Sequence, residues 1–223
     1  MSIVLVVAPH ADDESLGCGG TLLRHIANGD QVHWLIVTGM SIEAGFTESQ
    51  TNARAHEIQA VSDMYGFESV IELGFQPAKL DSVPQGDIVA AISAVVQGIK
   101  PDTIYTAYRN DVHSDHEVVF DVVVSCSKSF RYPFVTRLLT YETISETEFG
   151  LKPGDGGFRP NYFVDIEPYL DRKLDILAIY ESEMGEFPFP RSNTALRALA
   201  QVRGAQCASS AAESFMLLKE IVR

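Results

Sequence analysis

Apolar residues follow two rhythms along the first 130 positions of the 223-residue chain. Short runs rich in β-branched residues occupy 3–8, 32–38, 69–73 and 103–107, the first of them continuously apolar. Runs that do not alternate are what a strand needs when both faces of its sheet are covered. Between them, at 16–27, 48–65, 88–99 and 116–128, apolar residues recur three and four apart, which is helical spacing. Three of these helices meet stop signals, at Asn28-Gly29, Gly66 and Lys100-Pro101. Regular alternation of strand and helix predicts parallel strands joined by right-handed crossovers. The expected class is α/β, a Rossmann-like three-layer sandwich with a mostly parallel sheet. Its active site is expected at the carboxyl ends of the strands, where helix N-termini point and loops vary freely.

After residue 130 the pattern loosens. Strands are expected at 138–143 and 162–166, separated by a Gly/Pro-rich loop at 152–160 that reads as a lid or as ordinary surface. Helices are expected at 170–180 and 195–203, and 215–221 reads as strand or helix. No repeat or linker-like stretch divides the chain, and its length suits one core. Residues 1–223 are therefore read as a single domain, with about 131–223 completing the sheet and shaping the substrate side.

Composition changes the picture mainly by exclusion. With 46% hydrophobic and 21% charged residues the chain is ordinary for a globular protein, and its net charge of -13 argues against a nucleic-acid partner. The apolar start at 2–8 is too short to span a bilayer and has no basic leader, so neither a signal peptide nor membrane insertion is expected. Cys18, Cys126 and Cys207 are odd in number and scattered, which is neither a disulfide framework nor a cysteine zinc site. They fit a cytoplasmic location.

Two segments put clustered His and Asp at expected strand ends. Pro9-His10-Ala11-Asp12-Asp13-Glu14 follows the first strand, and His113-Ser114-Asp115-His116 follows the fourth. Imidazole nitrogen and carboxylate oxygen suit zinc and similar divalent ions. His10, Asp13 and His116 would supply three ligands and leave one position open for water. Asp12 would then stand beside the metal without binding it, as a general base requires. His113 would stabilise a developing oxyanion, and Asp115 would orient one of the histidines. Either segment alone has a structural explanation, since adjacent Asp residues before a helix are common caps. Their pairing at the ends of two parallel strands favours a metal site. The Gly17–Gly20 run is not a phosphate-binding loop, because its spacing is wrong and the acidic pair before it would repel phosphate.

These segments, together with Gly17-Cys18-Gly19-Gly20 and the Arg54/Glu57 pair, resemble the PIG-L/LmbE-like zinc-dependent N-acetylglucosaminyl deacetylase family. That family's motifs are written (A/P)-H-P-D-D-E and H-P-D-H. Ala11 and Ser114 each replace a proline, which removes loop stiffness and no chemistry. Tyr162–Ile166 and Ala212–Phe215 carry a weaker likeness. The resemblance implies one Zn2+ per chain, with other divalent ions able to substitute, held by His10, Asp13 and His116. It implies Asp12 as the base that later protonates the leaving amine, and His113 polarising the acetyl carbonyl with Asp115 tuning it. The implied reaction removes an N-acetyl group from an N-acetylglucosamine-type conjugate, giving acetate and a free amine. Arg54, Arg109, Asp111 and Glu14 are the expected substrate contacts. Surface ion pairing is the alternative for Arg54, Arg109 and Asp111, and loop support the alternative for Glu14. A homo-oligomer is compatible with the resemblance. Competing readings are an amidase acting on a thiol or other amide conjugate, a phosphoesterase using the same site, and a catalytically silent sugar-binding protein. No motif in the last third of the chain encodes the identity of the acetylated substrate.

Overall fold

Each of the four β-branched runs becomes a strand in the computed structural model, which describes residues 1–223. The strands are β1 (Ile3–Ala8), β2 (Gln31–Thr38), β3 (Ser69–Phe75), β4 (Thr103–Ala107), β5 (Arg137–Tyr141), β6 (Tyr162–Asp165) and β7 (Ala212–Glu220). The helices are α1 (Asp13–Ala27), α2 (Glu48–Tyr65), α3 (Gln85–Ile99), α4 (Ser114–Ser125), α5 (Leu170–Leu177) and α6 (Asn193–Gln206). One seven-stranded sheet runs in the order β3-β2-β1-β4-β5-β7-β6. The first five strands of that order are parallel, while β7 pairs antiparallel with β5 and with β6.

Period two along the strands builds two cores. Val4, Val6, Ala8, Trp34 and Ile36 face one way, under α1, α2, α5 and α6. Leu5, Val7, Leu35 and Val37 face the other way, under α3 and α4. All nine are buried, and burial of a Val, Leu or Ile side chain stabilises by roughly 1.5–3 kcal/mol. This is why β1 and β2 lack polar alternation: neither of their faces meets water.

The segment 215–221, which pattern alone left between strand and helix, lies in β7 up to Glu220. This strand lies between β5 and β6: Ala212–Phe215 pair with β6 and are buried, Phe215–Glu220 pair with β5, and Phe215 is held from both sides. Helix α1 starts at Asp13, three residues before its apolar pattern begins, because Asp13, Glu14 and Ser15 are buried polar residues at the site. A non-helical residue, Cys18 (φ -140, ψ 19), interrupts α1. Lys173 Nζ donates to the Leu16 carbonyl at 2.9 Å, and the Glu213 carboxylate accepts from the Gly20 and Thr21 N–H groups at 2.8 and 2.7 Å. A buried ion pair, Lys173 Nζ to Glu213 Oε1 at 2.7 Å, thus satisfies backbone groups that the kink leaves open. Gly17 lies so close to the Tyr141 ring that an added Cβ would fall 2.1 Å from it. Tyr141 therefore packs against the helix, with its hydroxyl on the Val7 carbonyl at 3.1 Å.

β1 and β4 are neighbours, and the chain winds away from them in opposite directions, so their carboxyl ends border a topological switch point. The two His/Asp segments emerge there.

Candidate active site

Thr38 Oγ1 on β2 pins the Pro9 carbonyl at 2.8 Å, fixing the path of the chain as it leaves β1. The next residues turn into α1, and the His10 N–H donates to Asp13 Oδ2 at 2.9 Å. The same oxygen lies 3.2 Å from His10 Nδ1 and 3.3 Å from His116 Nε2. His116 comes from the first turn of α4, so both motifs converge on one carboxylate oxygen.

The far nitrogen of each imidazole is held by a second carboxylate. His10 Nε2 meets Asp115 Oδ2 at 3.1 Å, and Asp115 is itself fixed by the Ala78 and Leu80 N–H groups at 2.7 and 3.2 Å. His116 Nδ1 meets Asp111 Oδ2 at 2.7 Å, and Thr147 donates to the other Asp111 oxygen at 2.6 Å. His116 Nε2 is buried and has no hydrogen-bond partner. An orphaned imidazole nitrogen aimed at a buried carboxylate, with its opposite nitrogen anchored, is what a metal ligand requires. The ligand atoms of His10, Asp13 and His116 lie within 4.8 Å of one another. This N,N,O donor set fits a divalent ion of the zinc type. His10, His113 and Asp115 form a second such group, but both Asp115 oxygens already accept backbone N–H groups.

The charge balance agrees with that fit. Burial opposes protonation of both imidazoles, yet bonds to Asp115 and Asp13 push His10 up to about 9. Likewise the Asp13 charge and the Asp111 bond push His116 up to about 10. Asp13 is held well below the usual carboxylate range, because the His116 charge and the His10 bond outweigh its burial. The carboxylates around the two imidazoles thus favour positive charge at this group.

Asp12 stands beside this group and outside it. It is 4% exposed, and its Oδ2 lies 2.6 Å from Arg191 Nη1. Burial and the Asp13 charge raise it to about 6, while Arg191 acts in the opposite direction. Across the cleft, His113 is the N-cap of α4, and its Nδ1 accepts the Asp115 backbone N–H at 3.2 Å. Burial and the neighbouring His10 charge lower it to about 4. The ring is therefore neutral near pH 7 and carries its proton on Nε2.

A cleft of about 240 Å³ reaches these groups; it is lined by His10, Asp12, Arg54, His113, Glu183 and Arg191, among others. A second hollow of about 140 Å³ adjoins it through His10, Met40, Arg54 and Pro77. Of the four expected substrate contacts, only Arg54 lines the cleft. Its Nη1 holds the Ala11 carbonyl at 2.5 Å, Nη2 holds Glu183 at 2.6 Å, and Nε lies 3.0 Å from Glu57. The other three sit elsewhere. Arg109 is 40% exposed and pairs with Glu117 and Asp121 along α4, the surface alternative named for it. Asp111 is buried with both oxygens taken by His116 and Thr147. Glu14 is fully buried, accepts from Ser15, Tyr180 and the Asp12 N–H, and is pushed up to about 8 by burial. It supports the loop from beneath.

Arg191, Glu183 and Glu146 line the cleft without having been expected there. The only trace of Glu183 and Arg191 in the sequence is charge in a segment without helical or strand period, ending in Phe187-Pro188-Phe189-Pro190-Arg191, and Glu146 lies in an equally unpatterned stretch after β5. No helix is long and apolar enough to cross a membrane.

Residues 5–127, more than half of the chain, match the family described as PIG-L: GlcNAc-PI de-N-acetylase. A probable N-acetyl-alpha-D-glucosaminyl L-malate deacetylase 2 of Bacillus cereus is 29% identical over 189 residues, covering 81% of this chain and 83% of the relative. The diacetylchitobiose deacetylase of Thermococcus kodakarensis is 27% identical over 200 residues, covering 82% of this chain and 70% of the relative. In structure, the chain is similar to a conserved protein from Thermus thermophilus, with a TM-score of 0.79 and 25% identity, covering 100% of this chain and 97% of that one.

Proposed function

Because this chain belongs to the PIG-L family, we propose that it hydrolyses the acetamide of an N-acetylated amino sugar conjugate, releasing acetate and a free amine. The observation that carries the reading is Asp12, a buried carboxylate beside the His10/Asp13/His116 group and not part of it. His10, Asp13 and His116 would hold the cation, and zinc suits their donor set. Such an ion, when bound, supplies Lewis-acid polarisation of water and carbonyl.

The remaining chemistry falls to the chain's own side chains. Asp12, raised to about 6, is ionised near neutral pH and takes the proton of the attacking water. Arg191, at 2.6 Å, holds that carboxylate in place. As the carbonyl oxygen gains charge, His113 donates to it from Nε2, the nitrogen left with the proton by the Asp115 N–H bond. Asp12 then returns its proton to the amide nitrogen, which is a poor leaving group until protonated. The C–N bond breaks, and a new C–O bond has formed in acetate.

The two named relatives differ in what their N-acetylated sugar is joined to, which supports N-acetylglucosamine as the common half of the substrate. A cytoplasmic setting is supported by three free cysteines, two of them buried. The test is release of acetate by zinc-loaded protein from a set of N-acetylglucosaminyl conjugates, with phosphate release measured in parallel on phosphorylated sugars. Acetate is the expected product. Phosphate without acetate would replace this reading with the phosphoesterase one.

A further inference from the structure

Two guanidinium groups line the cleft beside Asp12, and neither is free to meet a ligand. Arg54 comes from α2 and Arg191 from the segment before α6, with side chains 10% and 13% exposed. One carboxylate joins them. Glu183 Oε1 lies 2.6 Å from Arg54 Nη2, and Glu183 Oε2 lies 3.2 Å from Arg191 Nη1. Two arginines converging on the two oxygens of one carboxylate is the arrangement by which proteins recognise carboxylate ligands. Here the carboxylate belongs to the chain itself.

The surrounding charges make this substitution consequential. Arg54 also pairs with Glu57 at 3.0 Å, and Arg191 pairs with Asp12 at 2.6 Å and Glu146 at 3.3 Å. The two guanidiniums thus face four carboxylates, counting Glu183. An anionic group entering the cleft would find no unpaired cation and several like charges close by, a juxtaposition that disfavours binding. Glu183 is the most accessible of the three glutamates, with its side chain 29% exposed, against 17% for Glu57 and 14% for Glu146. Its removal would uncover both arginines towards the cleft without opening a core.

We propose that Glu183 is a specificity-determining residue. It occupies the anion position between Arg54 and Arg191, so that the cleft accepts N-acetylated sugars joined to neutral groups and rejects those joined to a carboxylate-bearing group. This inference rests on the deacetylase reading for its substrates but not for its charge geometry.

The experiment compares the wild-type chain with Glu183→Gln and Glu183→Ala. Acetate release is measured on neutral N,N′-diacetylchitobiose and on the dicarboxylate N-acetylglucosaminyl malate. Binding of malate alone is measured by calorimetry on all three proteins. The wild type should favour the neutral sugar in kcat/KM. Both variants should raise the anionic-to-neutral ratio, Glu183→Ala by about tenfold or more, and malate should bind more tightly to both. A ratio unchanged in both variants would reduce Glu183 to an anchor for its segment and overturn the proposal, whatever happens to absolute rates. So would a wild type that already prefers the malate conjugate. If no protein releases acetate from either sugar, the deacetylase reading fails, and malate binding decides the matter: tighter binding by the variants upholds the anion position, and equal affinity removes it.

Discussion

Asp111 Oδ2 lies 2.7 Å from His116 Nδ1, and that bond settles which nitrogen of the imidazole faces Asp13. With Nδ1 engaged, Nε2 is the buried atom left without a partner, 3.3 Å from Asp13 Oδ2. Thr147 holds the second Asp111 oxygen at 2.6 Å, so the carboxylate cannot swing away. Asp111 therefore acts on the site through His116, not through a substrate. Its replacement by Ala should weaken zinc affinity by about 10–100-fold, the usual loss when an orienting partner is removed. Asp111→Asn, which can still accept from Nδ1, should fall between. Competition against a chromophoric chelator measures this, and an unchanged dissociation constant for Asp111→Ala would reject the orienting role.

Metal binding should be steeply linked to protons. His10 is raised to about 9 and His116 to about 10, so both imidazoles are protonated at pH 7 in the metal-free protein. Their folded values lie above the ordinary 6.5, so their protonated forms stabilise the metal-free fold fully below about pH 6.5 and lose that effect as pH rises through 9–10. A cation must expel both protons. Zinc affinity should therefore climb from pH 7 towards pH 10, with release of about two protons at the lower end. Calorimetry in buffers of different ionisation enthalpy counts them. Flat affinity across that range would contradict the proton-held site.

Arg191 should set the acid limb of the pH–rate profile. Asp12 must be ionised to act as a base, and its value of about 6 already includes the lowering influence of Arg191. Removing the guanidinium moves Asp12 further up, so the limb of an Arg191→Ala enzyme should shift to higher pH. Arg191→Lys should restore part of it. Asp12→Asn removes the base outright and should lower kcat by about 10²–10⁴-fold while zinc stays bound. An Arg191→Ala profile that falls at the same pH as wild type would show that the contact does not tune the base.

The parallel part of the sheet and the convergence of His10, Asp13 and His116 were legible because their signals are local. β1 is an uninterrupted apolar run and β4 a short run rich in β-branched residues, and each is followed within a few residues by its His/Asp cluster, so the position of the site follows from the strands. The rim of the cleft was not legible. Arg191 reaches Asp12 across 179 positions, from a stretch with no period, and Glu183 acquires meaning only by meeting Arg54 from α2. Charge pairing at such separations leaves no trace in spacing. Asp111 and Glu14 were expected at the substrate because both adjoin the motifs, but adjacency in sequence does not say which way a carboxylate turns. Both turn inward, one to a histidine and one to Ser15 and Tyr180.

The kink in α1 links stability to the site. Lys173 and Glu213 are 6% and 4% exposed, and together they satisfy the Leu16 carbonyl and the Gly20 and Thr21 N–H groups around Cys18. Lys173→Met keeps the volume but leaves Glu213 as a buried charge without its cation, which should destabilise by about 3–5 kcal/mol. Lys173→Met combined with Glu213→Gln removes both charges and should recover a large part of that loss, since the amide oxygen still accepts a backbone N–H. Denaturant midpoints at constant slope measure both. The same helix begins at Asp13, so the single variant should also bind zinc more weakly than the double one. If the double variant proved as unstable as the single, the ion pair would be holding the kink by shape and not by charge balance.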